Sequence, residues 1–185
     1  MKQSVRVQAW QWVGLILMVF ASPTWAAEGV FVPPVPHDRA MASVVVGKDS
    51  PPEVHRKLGD SPCLVPSLSG ETISYLYNVH SKEGHYFLRL EVNGHVDAIT
   101  VSKDPPLTGV CYAPIRHAVQ MRTEQGLQLG ATTDEVITLY GKPAESFAVG
   151  SMSRFRYLTV LDRPYEWDLV FRDGRLIEWT VSIGE

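Results

Sequence analysis

The sequence predicts an α+β protein built from two tandem repeats, each a short helix packed on an antiparallel sheet of about three to four strands. Two segments share their glycines, prolines and helix caps in the same order, and each has an Asn-Gly or Asp-Gly turn before its last strand. The matching residues are Gly47, Glu53, Val54, Gly59, Pro62, Gly94, Thr100, Val101 and Ser102, followed by Gly130, Glu135, Val136, Gly141, Pro143, Gly174, Thr180, Val181 and Ser182. Such self-similarity indicates a repeated unit, predicted over residues 43–104 and 126–185.

Residues 1–26 have the features of a secretory signal peptide. Lys2 and Arg6 precede an apolar stretch, and Thr24 and Ala26 supply the small residues of a cleavage site. The apolar stretch is shorter than the roughly 20 residues that span a bilayer, which argues against a membrane anchor. We therefore expect cleavage after Ala26 and a periplasmic or secreted protein with no stable membrane span.

Two further segments flank the first repeat. Residues 27–42 form a Pro-rich leader in which Pro33-Pro34-Val35-Pro36 favours an extended backbone. Residues 105–125 form a connector that begins with two prolines and a glycine, which mark the boundary between the repeats.

Each repeat opens with a helix whose two ends are encoded in the sequence. In an S/T-x-x-E capping box, a hydroxyl and a carboxylate satisfy the free N–H groups of the first turn. A glycine followed by a proline ends the helix in a left-handed conformation. The structural caps are Ser50, Glu53 and Gly59 in the first helix and Thr132, Glu135 and Gly141 in the second. Because both glutamates fit caps, we interpret them as structural and not as a catalytic carboxylate pair.

After each helix the apolar residues recur with a period of two, which is typical of antiparallel strands. Residues 88–92 alternate strictly between apolar and charged side chains. Asn93-Gly94 and Asp173-Gly174 predict tight hairpin turns, because such turns need positive φ at both central residues. A last strand is predicted after each turn, over residues 96–102 and 176–183.

The chain has two cysteines, Cys63 and Cys111, and we predict that they form a disulfide. Disulfides persist in exported proteins, and closing the loop between these residues would stabilise the fold by roughly 4 kcal/mol. The alternative is a hydrolase with Cys111 as nucleophile and His117 as its base. No hydrolase signature surrounds Cys111, so the disulfide is favoured.

The sequence contains no recognisable catalytic or cofactor motif. It has no G-x-S-x-G, P-loop, H-E-x-x-H or paired CxxC sequence. A second enzymatic alternative uses a metal held by His80, His85 and His95, but their spacing matches no standard zinc motif. We therefore expect a non-catalytic protein without a metal or cofactor.

The composition favours binding to a protein or another envelope macromolecule. The formal net charge is −3 and there is no basic run, which argues against nucleic acid as a partner. Arginine, tyrosine and tryptophan are enriched at binding hot spots, and one segment of the second repeat concentrates them. The candidate partner-binding residues are Arg154, Arg156, Tyr157, Arg163, Tyr165 and Trp167. The competing interpretation places alternate members, such as Tyr157, in the core.

This pattern of caps and turns resembles the small SmpA/OmlA-type outer-membrane assembly domain. The matching positions are Gly130, Thr132, Glu135, Val136, Gly141, Pro143, Tyr157 and Gly174, with their partners in the first repeat. The tandem arrangement is similar to that of the secreted β-lactamase inhibitor proteins. This chain lacks the lipidated cysteine of the assembly lipoproteins. The resemblance implies an exported binding protein that acts as an inhibitor or as an assembly accessory.

Overall fold

One nine-stranded sheet dominates the structure, so the predicted α+β class, with a separate small sheet in each repeat, is wrong. The computed structural model describes residues 35–81, 84–115 and 118–184, and the account below refers to these. The predicted signal peptide and the first part of the leader, residues 27–34, lie outside them. The protein is mostly β, because its two helices are only eight residues long each.

The elements follow one another in a simple order. They are β1 (Ala40–Met41), β2 (Val44–Val45), α1 (Pro51–Leu58), β3 (Leu64–Pro66), β4 (Ile73–Ser81), β5 (Gly84–Asn93), β6 (His95–Ser102), β7 (Ala113–Pro114), α2 (Thr133–Tyr140), β8 (Glu145–Val149), β9 (Met152–Val160), β10 (Pro164–Arg172) and β11 (Arg175–Ile183). The two shortest strands, β1 and β2, pair only with each other.

The large sheet has the strand order β3-β4-β5-β6-β11-β10-β9-β8, and β7 adds to β4 in parallel. Its two halves meet where β6 pairs antiparallel with β11, with Thr100 opposite Thr180. The hydroxyl oxygens of these two threonines lie 3.0 Å apart. Pairing β6 with β11 removes two strand edges, whose free N–H and C=O groups would otherwise face solvent. That gain explains why one sheet forms instead of two.

Both helices begin with the expected capping boxes, but their C-terminal glycines combine positive φ with an extended ψ, 172° at Gly59 and −167° at Gly141, and so do not adopt the predicted left-handed conformation. The Glu53 carboxylate accepts hydrogen bonds from the Ser50 amide at 2.8 Å and from its hydroxyl at 2.9 Å. The Glu135 carboxylate accepts from the Thr132 amide at 2.7 Å, and the Thr132 hydroxyl accepts from the Glu135 amide at 3.2 Å. Hydrogen bonds from the cap residues, the backbone one foremost, lower the pKa of both glutamates. These carboxylates are therefore engaged in capping.

A buried tyrosine ties the end of each helix to the sheet. Tyr77 of β4 donates a hydrogen bond to the carbonyl of Gly59 at 3.0 Å, and Tyr157 of β9 donates to the carbonyl of Gly141 at 2.9 Å. Both glycines have positive φ, 89° and 75°, which suits a residue without Cβ. Burial raises the pKa of Tyr157 to about 12. The two hydroxyls satisfy carbonyls that the helices leave without an internal partner.

One face of the sheet is covered, and the core lies beneath it. The buried cluster combines residues from both helices, from the chain before α1 and from alternate strand positions. Its members include Val54, Leu58, Val136 and Tyr140 of the helices, Met41, Val44 and Val46 before α1, and Leu88, Ile99, Trp167, Leu169 and Trp179 of the sheet. Strand β10 shows the alternation clearly, with every second residue buried. We call this side of the sheet the covered face.

The described end of the leader is tied to the covered face by Asp38. Its backbone carbonyl accepts a hydrogen bond from the Trp167 indole at 3.1 Å. Its carboxylate accepts from the amide of Gln125 at 2.9 Å and from the hydroxyl of Tyr140 at 3.3 Å. The leader is therefore an ordered strap from Val35 onward.

Candidate functional site

The side of the sheet opposite the core carries three cross-strand rows of side chains, which we call the open face. Strand alternation and register place them there, since opposed residues in neighbouring strands point to the same side. The rows are Phe87, Ser102, Glu178, Val170, Arg154 and Phe147; Arg89, Thr100, Thr180, Asp168, Arg156 and Glu145; and Glu91, Ala98, Ser182, Glu166 and Leu158. The middle row is polar from β5 to β8.

An ion-pair network links β8, β9 and β10 on the open face. Arg154 holds both oxygens of Asp168, from Nε at 2.8 Å and from NH2 at 2.5 Å. The Nε atom of Arg156 lies 2.9 Å from Oε1 of Glu166 and 3.4 Å from Oδ1 of Asp168. Its Nη1 atom lies 3.3 Å from Oε2 of Glu145. Two-pronged guanidinium–carboxylate contacts are directional as well as strong. The network therefore fixes the orientation of both arginines.

The carboxyl groups of this face titrate in different directions. Burial raises the pKa of Glu166, and a hydrogen bond with Asp168 raises it further. Burial also works against the ionised form of Asp168, but its contacts with Arg154, Glu166 and Arg156 outweigh burial and lower the pKa. Burial raises the pKa of Glu178, and the nearby guanidinium groups offset this only in part. The pKa values of neighbouring carboxyl groups differ because burial, nearby charges and hydrogen bonds act on each group to a different extent.

The structure divides the six predicted partner-binding residues between two sides of the sheet. Arg154 and Arg156 lie on the open face. Tyr157, Tyr165 and Trp167 lie on the covered face and are only 3%, 1% and 1% exposed. These three rings fill the core and cannot contact a partner, so their predicted place on a binding surface is wrong.

Arg163 also lies away from the open face. It belongs to the β9–β10 turn, and its guanidinium approaches Gly47 near the hydroxyl of Tyr165. That hydroxyl accepts a hydrogen bond from Arg39 at 2.8 Å and donates to Asp162 at 3.2 Å. Arg39 and Asp162 themselves form an ion pair at 2.6 Å. This group of side chains fastens the strap to the end of the sheet.

The predicted disulfide between Cys63 and Cys111 is confirmed. It holds the connector against the β4–β5 end of the open face, where β7 pairs with β4. Tyr112 of the connector meets Phe87 edge to face at 4.9 Å. The Cys111 thiol of the alternative hydrolase is consumed by the disulfide, and its proposed base, His117, lies outside the described residues.

The three histidines considered as metal ligands do not come together. His80 and His85 stack across β4 and β5 with ring centroids 4.2 Å apart. His95 lies at the opposite end of β5, 3.1 Å from Asp97. Across residues 35–81, 84–115 and 118–184, no group of three or more His, Cys, Asp or Glu side chains is placed to hold a metal ion.

Sequence reasoning missed the residues that make the open face distinctive. The sequence pattern singled out none of Glu166, Asp168 and Glu178 as part of a site, and it did not predict β8. Strands β9 and β10 are joined by a short turn at 161–163, and a hairpin folded at this turn places Arg156 opposite Asp168. This register could have identified the ion-pair network from the sequence, because opposite charges that face each other across strands attract.

Comparisons with known proteins give no family. No protein-family model matches the chain, and no curated protein matches it. The SmpA/OmlA resemblance therefore stays a prediction.

Two solved structures are similar to the chain. One is an extracellular protein containing a SCP domain from Bacillus anthracis, 11% identical, with a TM-score of 0.45 over 72% of this chain and 43% of that one. The other is a DUF4309 family protein from Bacillus subtilis, 16% identical, with a TM-score of 0.46 over 76% of this chain and 82% of that one. The chain thus spans less than half of the first protein's length.

Proposed function

We propose that this is an exported, non-catalytic protein that binds a macromolecular partner in the cell envelope through the open face of its sheet. The observation that carries the proposal is the fixed guanidinium–carboxylate network beside exposed apolar side chains. Export is supported by the signal-like sequence of residues 1–26 and by the disulfide, since disulfides persist outside the cytoplasm. No helix in the described part of the chain is long and apolar enough to cross a membrane.

The apolar part of this surface lies on β8 and β9. Phe147 is 59% exposed and Leu158 57% exposed, and both belong to the open face. Val149, two residues along β8 from Phe147, is 81% exposed. Phe147 and Val149 lie together on β8, and Leu158 lies on the other side of the Arg156–Glu145 pair. Exposed apolar side chains beside arginines are typical of protein-binding surfaces. Burying these side chains against a partner would provide binding energy, and the charges would provide specificity.

The ion pairs prepare this surface for binding. A free arginine side chain loses rotamer freedom when it is immobilised in an interface. Arg154 and Arg156 are already held by three carboxylates before any partner arrives. Their ordering therefore costs less at the moment of binding. The two forms of the proposal, inhibitor and assembly accessory, differ in what the partner does and not in the surface.

Site-specific photocrosslinking in the native envelope tests the proposal. A photoreactive residue replaces Leu158 of the open face, and in the matched control it replaces Ile137, an aliphatic residue 40% exposed on α2. We expect a covalent adduct of defined mass from position 158 and none from position 137. Arg154→Glu with Arg156→Glu should abolish the adduct while circular dichroism shows an intact fold. Equal adducts from both positions, or an adduct that survives the double charge reversal, would contradict the proposal.

If an adduct forms, its composition and a gene deletion separate the two forms of the proposal. Loss of outer-membrane integrity on deletion supports the assembly role. Restored activity of a crosslinked enzyme in the deletion strain supports the inhibitor role.

A further inference from the structure

The open face carries more negative than positive side chains. Its guanidinium groups belong to Arg89, Arg154 and Arg156, whereas its carboxylates belong to Glu91, Glu145, Glu166, Asp168 and Glu178. Three cations therefore face five anions. Because the carboxylates outnumber the guanidinium groups, the network leaves a carboxylate without a cation of its own.

Glu178 is the carboxylate that this network leaves over. Arg89 pairs with Glu91 at 2.7 Å. Arg154 is occupied by Asp168, and Arg156 by the carboxylates around it. Within the described residues, the Glu178 carboxylate has neither a hydrogen bond nor an ion pair within 4.0 Å, although it is half-buried. A half-buried charge without a partner is unfavourable and is stabilised by an opposite charge.

Glu178 lines a pocket at one end of the open face. The pocket has a volume of about 210 Å³, and its wall includes Ser102, Pro105, Met152, Val170 and Glu178. Its rim carries Arg172, which lies 3.3 Å from Asp104 and is therefore already paired. The pocket thus combines an unpaired carboxylate with apolar walls from a proline, a methionine and a valine.

We infer that this pocket receives a lysine or arginine side chain of the partner, whose cation pairs with the Glu178 carboxylate while its methylene stem packs against Met152 and Val170. Long basic side chains combine an apolar stem with a charged tip, which is the chemistry of this pocket. The inference rests on the proposed function and specifies the chemistry of the partner at one point of the surface.

The Glu178 carboxylate is already partly desolvated in the free protein. Burial disfavours the ionised form of Glu178 before binding, and this raises its pKa. An incoming cation therefore finds a carboxylate that needs little further desolvation. Binding through Glu178 should weaken as the pH falls through this raised pKa, because protonation removes the negative charge.

The first test examines the pocket alone with a small cationic probe. N-acetyl-lysine amide is titrated into the full chain while backbone amide shifts are followed by NMR. We expect saturable shifts at Ser102, Val170 and Glu178, at least fivefold weaker binding to Glu178→Gln, and unchanged binding to the control Glu71→Gln, an exposed loop residue. The uncharged analogue N-acetyl-norleucine amide should give no such shifts. Equal shifts from both probes, or unchanged binding to Glu178→Gln, would overturn the inference.

The second test uses the photocrosslinked adduct at position 158. We expect Glu178→Gln to reduce its yield at least fivefold and Glu71→Gln to leave it unchanged. An unchanged yield with Glu178→Gln, combined with loss of the adduct on charge reversal of Arg154 and Arg156, refutes the pocket and leaves the proposed function standing. Persistence of the adduct in both variants refutes the proposed function itself.

Discussion

The two ends of the large sheet are protected differently. At the β3–β4 end, the edge strand has three residues, Leu64–Pro66, and the disulfide holds the connector over the open face. At the β8 end, the edge strand has five residues, all exposed, and no proline. Short strands and proline are common means of blocking unwanted pairing at a sheet edge. The uncovered part of the open face is therefore concentrated at the β8–β11 end.

On the covered face, by contrast, the two halves of the sheet resemble each other. There the same hydrogen bond, from a strand tyrosine to the glycine carbonyl at the end of a helix, occurs in both halves. Contacts that build the core are thus alike in the two halves, whereas the coverage of the open face differs.

The largest effect is expected from Trp167→Ala, which tests the boundary between the two faces. Trp167 is 1% exposed and donates a hydrogen bond to the strap. Removing a buried indole should lower the free energy of unfolding by about 3–5 kcal/mol, measured by urea denaturation. The control Leu158→Ala, on the open face, should change it by less than about 0.5 kcal/mol. Similar losses in both variants would mean that the two faces are not distinct.

The next effect concerns the clamp at the β4–β5 end. Replacing Cys63 and Cys111 together by serine should lower the free energy of unfolding by about 2–4 kcal/mol, because the disulfide closes a separation of 48 residues. Limited proteolysis should then cut the connector sooner. Crosslinking at position 158 should persist at a temperature where the variant remains folded. Loss of that adduct would show that the two ends of the sheet are coupled.

Removing either tyrosine hydroxyl should lower the free energy of unfolding by a smaller amount, and by the same amount in the two halves. Tyr77→Phe and Tyr157→Phe each remove one hydrogen bond to a glycine carbonyl and should each cost about 1 kcal/mol. Because the two sites share no partner, their costs should add in the double variant. Urea denaturation of both single variants and the double variant measures this. A marked inequality between them would contradict the likeness of the two halves.

The smallest effects, below about 1 kcal/mol because solvent screens these charges, are expected from two carboxyls of opposite behaviour. The lowered pKa of Asp168 stabilises the fold above its unfolded pKa, and this is lost as the pH falls through the folded pKa. The raised pKa of Glu178 favours the fold at low pH, and this is lost as the pH rises through the folded pKa.

These signs predict opposite results for matched substitutions. At pH 7, Asp168→Asn should lower the Tm and Glu178→Gln should raise it slightly, as followed by thermal unfolding. Both differences should shrink at pH 3. Destabilisation by Glu178→Gln at pH 7 would show that its carboxylate has a stabilising partner in the folded protein.

Local features were predictable because short stretches of sequence determine them. The capping boxes at Ser50 and Thr132 need only residues three apart, and the turn at Asp173-Gly174 has the predicted positive φ at both residues, 52° and 70°. At Asn93-Gly94 only Gly94 has positive φ, so the predicted turn type is wrong there. The disulfide followed from the number of cysteines and the export signal. Of the two interpretations of the segment around Arg154 and Arg156, the one that places Tyr157 in the core is confirmed. The sequence could not show which of these side chains face solvent, because that depends on which face of the sheet is covered.

The sequence by itself determined the helix caps, the hairpin turns, the alternation of the strands and the pairing of the two cysteines. Only the tertiary structure decided that β6 joins β11 in one sheet, that the connector covers one end of the open face, and that Glu178 is left without a partner. The physical reason is distance along the chain. Caps and turns arise from neighbouring residues, whereas strand pairing and burial depend on segments about 80 residues apart, as Thr100 and Thr180 are, that meet only in the folded protein.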